Sequence, residues 1–176
     1  KDNGVTWNDS AIVVPVTHPD FKNIPYEIRF AYIGNGKVIG IGRSDNGNVF
    51  QLNSSDYGRT WKQYTTNISD CRENCLFPLY RATDGTITLY YNNRLSNTIN
   101  KRTVYANDVF RDPTRWTEPV ILGYTSSPMT KIDSGYITSV GIRENSKGTI
   151  SCMYTTRDVY ADGDTPKKTG IVIFYD

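Results

Sequence analysis

Trp7, Trp61 and Trp116 stand 54 and 55 residues apart. A fixed period of that size marks a chain built from similar units that pack on one another. Each unit holds a turn between two apolar runs: Asn35-Gly36, Asp84-Gly85, and Asn145-Ser146-Lys147-Gly148. Asn-Gly and Asp-Gly between apolar runs are strong hairpin signals, because these residues tolerate positive φ. The pattern predicts that 28–34 pairs with 37–42 and that 48–53 returns beside them. In the second unit 76–83 pairs with 86–91 and 101–106 returns; in the third 136–142 pairs with 149–154 and 170–175 returns. No stretch carries a convincing helical period. Four short strands in each repeat predict an all-β chain of antiparallel four-stranded β-propeller blades. The blades are expected at 11–61, 62–116 and 117–176, with 1–10 closing a preceding blade.

One turn is spelled out in full: Ser54-Ser55-Asp56-Tyr57-Gly58-Arg59-Thr60-Trp61. Between a third and a fourth strand, Asp56 would accept bonds from backbone N–H groups and Gly58 would take φ > 0. Trp61 would pack between neighbouring sheets. Asp2–Trp7 is a shortened copy, and 107–116 keeps only its Trp. The octapeptide resembles the Asp box of the sialidase superfamily, in which Ser54, Asp56, Gly58 and Trp61 would be structural. That resemblance implies a six-bladed propeller, of which this chain supplies about three blades from the C-terminal half. The remaining blades would come from a preceding segment or from other chains.

Up-and-down connectivity separates the two ends of every blade. Strand-one starts and strand-two ends share one rim, whereas the hairpin turn and the Ser54–Trp61 turn lie on the other. The first rim then collects Tyr26 and Glu27, Leu76, and Tyr136 from strand starts, with Arg43, Arg94 and Arg157 from strand ends. His18, the only histidine, lies on the connection leading there. The order Glu27, Arg43, Arg94, Tyr136 resembles the second half of a sialidase active site. The resemblance implies a coherent chemistry. Arginine binds a carboxylate in a bidentate fork and keeps its charge, so Arg43 and Arg94 would clamp the carboxylate of sialic acid. A neutral tyrosine avoids the repulsion that a carboxylate nucleophile would meet there. Glu27 would orient or deprotonate the nucleophile, either Tyr136 or a water. Arg157 would be a further substrate-binding residue. A competing alignment reads Ile28-Arg29-Phe30-Ala31 as a worn Phe-Arg-Ile-Pro motif, which would make Arg29 a carboxylate ligand.

The composition fits this reading without forcing it. Thirteen tyrosines with abundant Asn, Thr and Ser suit a sugar-binding surface, and equally suit strands. A net charge of +2 with scattered basic residues argues against nucleic acid. No apolar run reaches the roughly 18 residues of a membrane-spanning helix. Cys71, Cys75 and Cys152 form neither a disulfide framework nor a zinc-ligand spacing, so no metal and no cofactor is expected. Two branches of the superfamily remain open: exo-sialidases, and phage endosialidases that cleave polysialic acid as homotrimeric tailspikes. The Asn/Thr/Tyr-rich, His-poor composition and the loose surroundings of Tyr136 lean to the phage branch, at the virion surface or outside the cell. A non-catalytic carbohydrate-binding propeller, of a fibre or adhesin, is the rival reading; a purely structural propeller fragment is the third.

Overall fold

The computed structural model describes residues 26–43, 49–71, 79–93, 96, 98–124, 136–144, 150–157 and 169–175, with side chains between 28 and 123. Every ladder among them is antiparallel. The first sheet has the order β1 (Tyr26–Gly34), β2 (Lys37–Arg43), β3 (Val49–Ser54), β4 (Lys62–Thr65). The second runs β5 (Leu79–Arg81), β6 (Thr86–Asn93), β7 (Thr98–Tyr105), β8 (Val120–Tyr124). The third holds β9 (Tyr136–Glu144), β10 (Ile150–Arg157) and β11 (Thr169–Tyr175), with β10 in the middle. Each sheet is thus a meander of sequence neighbours, the architecture of propeller blades. Contacts of β1 with β5 and of β6 with β9 set the three sheets side by side in chain order.

Local chemistry explains the turns. Gly34 faces Lys37 across the first hairpin, so Asn35-Gly36 is a two-residue loop. Its φ values of 52° and 75° are the doubly positive pair that favours Asn-Gly. The second hairpin is longer than the Asp84-Gly85 dipeptide suggests. Ala82 and Thr86 are bonded (2.8 Å), and the three residues between them end on Gly85 at φ 87°. The third turn, 145–148, lies outside the described residues.

Two expectations are corrected. The sheets place Lys62–Thr65 in the first blade and Val120–Tyr124 in the second, so boundaries at 61 and 116 fall one strand early. The reason is that Ser54–Trp61 joins β3 to β4, and a blade's last strand therefore follows its tryptophan. The second correction is α1 (Ala106–Arg111), a helix where a worn copy of that turn was expected. Six residues are too few to show a period or to be stable alone. Tertiary contacts hold it: Ala106 and Val109 are buried, and two amides of the first sheet bond its C-terminal carbonyls.

The core lies between the first two sheets. Ile33, Ile39, Ile41 and Val49 of one meet Ile87, Leu89, Tyr91 and Val104 of the other, with Ile68, Val109 and Trp116 closing the cluster. Cys71 belongs to it and is disulfide-bonded, which the sequence reading did not assign.

Candidate functional site

The two rims can now be told apart by hydrogen bonds. In the first sheet, Tyr57 N–H donates to the Gly36 carbonyl at 2.8 Å, tying the Ser54–Trp61 turn to the β1–β2 hairpin. In the second, Ala106 N–H donates to the Gly85 carbonyl at 3.0 Å, tying the start of α1 to the β5–β6 hairpin. Helix α1 therefore stands in the second sheet where the Ser54–Trp61 turn stands in the first. Both mark one rim.

The other rim of the first sheet brings Tyr26 directly opposite Arg43. The register then shifts before Arg29 pairs with Ile41, so Glu27 sits in an irregularity at the strand's start. Such irregularities re-aim side chains at sheet ends. In the third sheet Tyr136 pairs with Thr155, two residues before Arg157, which pairs with Thr169. Tyr136 and Arg157 thus share one end of that sheet, as Glu27 and Arg43 share one end of theirs. The side chains of Glu27, Tyr136 and Arg157, and all of Arg94 and His18, lie outside the described residues. Arg94 follows Asn93, the last residue of β6. Arg43 is half-buried at the end of β2, between Tyr26 and Val49 on its flanking strands.

Arg29 is also half-buried, and its Nε is buried without a hydrogen-bond partner among the described residues. An unbonded guanidinium N–H away from water is costly, and a carboxylate would satisfy it. Among the described residues no group of three or more His, Cys, Asp or Glu could hold a metal ion.

The Ser54–Trp61 turn is a closed hydrogen-bond system. Asp56 Oδ1 accepts from Arg59 N–H (3.0 Å), Thr60 N–H (2.9 Å) and Ser54 Oγ–H (2.8 Å), while Thr60 Oγ1–H donates to Oδ2 at 2.6 Å. Ser54 Oγ accepts from Gly58 N–H at 2.8 Å, and Trp61 Nε1–H donates to the Gly58 carbonyl at 2.9 Å. Tyr57 and Gly58 both have positive φ, 62° and 84°. The Thr60 hydroxyl, then its N–H, then the Ser54 hydroxyl hold the Asp56 carboxyl well below its ordinary range. Every donor to this carboxylate belongs to the turn itself, so its charge is spent on holding the loop's own backbone and hydroxyls. Trp61 lies over Phe30 of its own sheet, ring centroids 5.2 Å apart, whereas Trp116 is the tryptophan buried in the inter-sheet core.

Sequence reasoning missed a buried polar group between the first two blades. Arg102 donates through Nε to Tyr91 Oη (2.8 Å), through one terminal nitrogen to Asp70 (2.9 Å) and through the other to the Thr117 carbonyl (2.6 Å). Tyr91 Oη–H in turn donates to Asp70 Oδ2 at 2.8 Å. Burial, with the Asp70 carboxylate beside it, pushes the Tyr91 phenol well above its ordinary value, so it stays protonated. Asp70 lies on the connection between the sheets, so the group fastens that connection to the second blade. No spacing signal in the sequence links positions 70, 91 and 102.

No protein-family model matches the chain, and no curated protein matches it in sequence. Among solved structures, the NanB sialidase of Streptococcus pneumoniae superposes with a TM-score of 0.56. Sequence identity is 14%, and the match covers 87% of this chain and 23% of NanB. The chain therefore has a sialidase-like fold, and spans about a quarter of the length of the sialidase it matches.

Proposed function

We propose that this chain supplies part of the catalytic rim of a sialidase-like glycoside hydrolase. The observation that carries the reading is the β1–β2 register, with Tyr26 opposite Arg43 and Glu27 beside them, away from the Ser54–Trp61 turn. The likeness to NanB over most of the chain supports it. In this reading the Ser54–Trp61 turn is an Asp box. Arg43 and Arg94 hold the substrate carboxylate, with Arg157 on the following blade and Arg29 as a further ligand. Glu27 orients or deprotonates Tyr136 or a water, which attacks the anomeric carbon of a sialic acid ketoside. No cofactor takes part. The remaining groups come from blades outside this chain, so this piece alone is inactive. The branch we favour is the phage endosialidase, a homotrimer at the virion surface acting on polysialic acid. The disulfide at Cys71 fits a location outside the reducing cytosol.

A carbohydrate-binding propeller without catalysis is the second reading. It draws on exposed aromatic surface: Tyr32 and Tyr57 are 50% and 68% exposed and stack at 6.3 Å. The test is release of reducing sialic acid ends from polysialic acid and from sialosides by the full-length protein and by its Arg43→Ala variant. The hydrolase reading expects KM to rise by about tenfold or more, the loss of a charge-assisted pair. Unchanged kinetics in the variant would remove Arg43 from the site.

A further inference from the structure

We propose that the groove between the Ser54–Trp61 turn and α1, on the rim opposite Glu27 and Arg43, is a second saccharide site that takes one acidic pyranose residue. Its cavity volume is about 180 Å³. The groove is open to solvent along one side, so a six-membered sugar ring can lie in it with its remaining substituents in water. Three aromatic side chains line it, Trp61, Tyr64 and Phe110. Flat apolar faces beside hydroxyls match a pyranose, whose axial C–H groups form an apolar face and whose rim is polar.

The walls are set before any ligand arrives. Trp61 is held by its bond to the Gly58 carbonyl (2.9 Å) and by Phe30. Phe110 has the Lys37 ammonium 5.1 Å from its ring centroid, and its carbonyl accepts from Asn53 Nδ2–H at 2.8 Å. A preformed pocket loses little ordering free energy on binding. The exposed side of the groove is β4, where Lys62 and Tyr64 are exposed and, two residues apart, share a strand face. Asn53 pairs with Lys62 in register and so faces the same way. Thr60 Oγ1 spends its hydrogen on Asp56, which leaves its lone pairs to accept from a sugar hydroxyl.

Charge selects the class of sugar. Lys62 is the one formally charged residue among the described lining residues, and no carboxylate is among them. A sugar carboxylate would meet the Lys62 ammonium, while the nearby Asp56 carboxylate is turned onto four donors of its own turn. The site stands apart from the proposed catalytic rim, and neither proposal rests on the other.

The test is backbone-amide NMR of the full-length protein titrated with the methyl glycoside of N-acetylneuraminic acid and, separately, with neutral methyl glucoside. The acidic glycoside is expected to shift Thr60, Lys62, Tyr64 and Phe110 with Kd on the order of 1 mM. Tyr64→Ala weakens this by about three- to tenfold, the loss of one aromatic face. Lys62→Gln weakens it by about two- to fivefold, as for an exposed ion pair, and leaves the neutral sugar's weaker binding unchanged. Both side chains are exposed, so both variants retain the fold, and Arg43→Ala leaves these shifts intact. Shifts absent from the groove, indifferent to Tyr64 and Lys62, or equalled by the neutral glycoside would overturn the proposal.

Discussion

Asp56 shows how much a single side chain can organise. Four donors converge on its carboxylate, and Thr60 and Ser54 account for three of them. Because its folded pKa lies below the ordinary 3.8, the stabilisation is complete above that value and is lost progressively as pH falls from there through the lower folded pKa. Thermal unfolding should therefore show stability declining below about pH 4. Asp84 and Asp112, held down by bonds from Thr86 and Thr114, contribute to the same decline. Asp56→Asn keeps an acceptor but cannot titrate, so its melting temperature should be lower at neutral pH and change less with acid. Gly58→Ala tests the backbone. At φ 84° a methyl would meet Trp61 Cζ2 at 3.2 Å, and left-handed φ costs a non-glycine residue about 1–2 kcal/mol. Chemical denaturation should report a loss of that size. An unchanged midpoint would show that the turn relaxes freely. The Asp56 bonds to backbone N–H and the positive φ of Gly58 were legible because the partners lie within eight residues. Trp61, expected between sheets, instead lies on Phe30 of its own sheet, a contact from thirty-one residues away.

Strands were legible too, and the helix was not. Each predicted strand in the described residues has its counterpart, since alternation and Asn-Gly or Asp-Gly turns are local signals. Only the lengths changed: β1 starts at Tyr26 rather than 28, and β10 runs on to Arg157. Helix α1 exists because Gln51 and Asn53, more than fifty residues away, donate to the Val109 and Phe110 carbonyls at 2.9 and 2.8 Å. Those are the carbonyls a helix end leaves open. Gln51→Met should therefore cost about 1–3 kcal/mol by leaving one buried carbonyl unbonded, and should speed amide exchange across 106–111. The clasp between the connection and the second blade is non-local in the same way. Arg102→Met strips both Tyr91 and Asp70 of a donor, and about 1–3 kcal/mol of stability should be lost on denaturation. The higher figure for fully buried pairs does not apply, because the Asp70 side chain keeps 26% of its surface in solvent. Loss of no stability would mean that the core alone fastens the connection.

Taken as one molecule, three meanders side by side leave two chemically different rims. The turn rim carries Asn35-Gly36, the Ser54–Trp61 turn and α1, all described in detail. The opposite rim was read from strand parity, and backbone register places Tyr26 against Arg43 and puts Tyr136 and Arg157 at one sheet end. Parity could be read because it needs only the strand count; blade boundaries were misplaced by a strand because a tryptophan marks a turn, not a blade's end. The groove beside α1 escaped notice because the helix that forms one wall of it did. The most direct measurement compares release of reducing sialic acid ends from polysialic acid and sialosides with affinity for the same glycans, in the full-length protein and its Glu27→Ala variant. The hydrolase reading predicts turnover reduced by about 10²–10⁴-fold, the worth of a positioned acid–base group, with Kd changed less than about threefold. Release at the wild-type rate in the variant, or no release by the wild type while sialoside still binds, would contradict it.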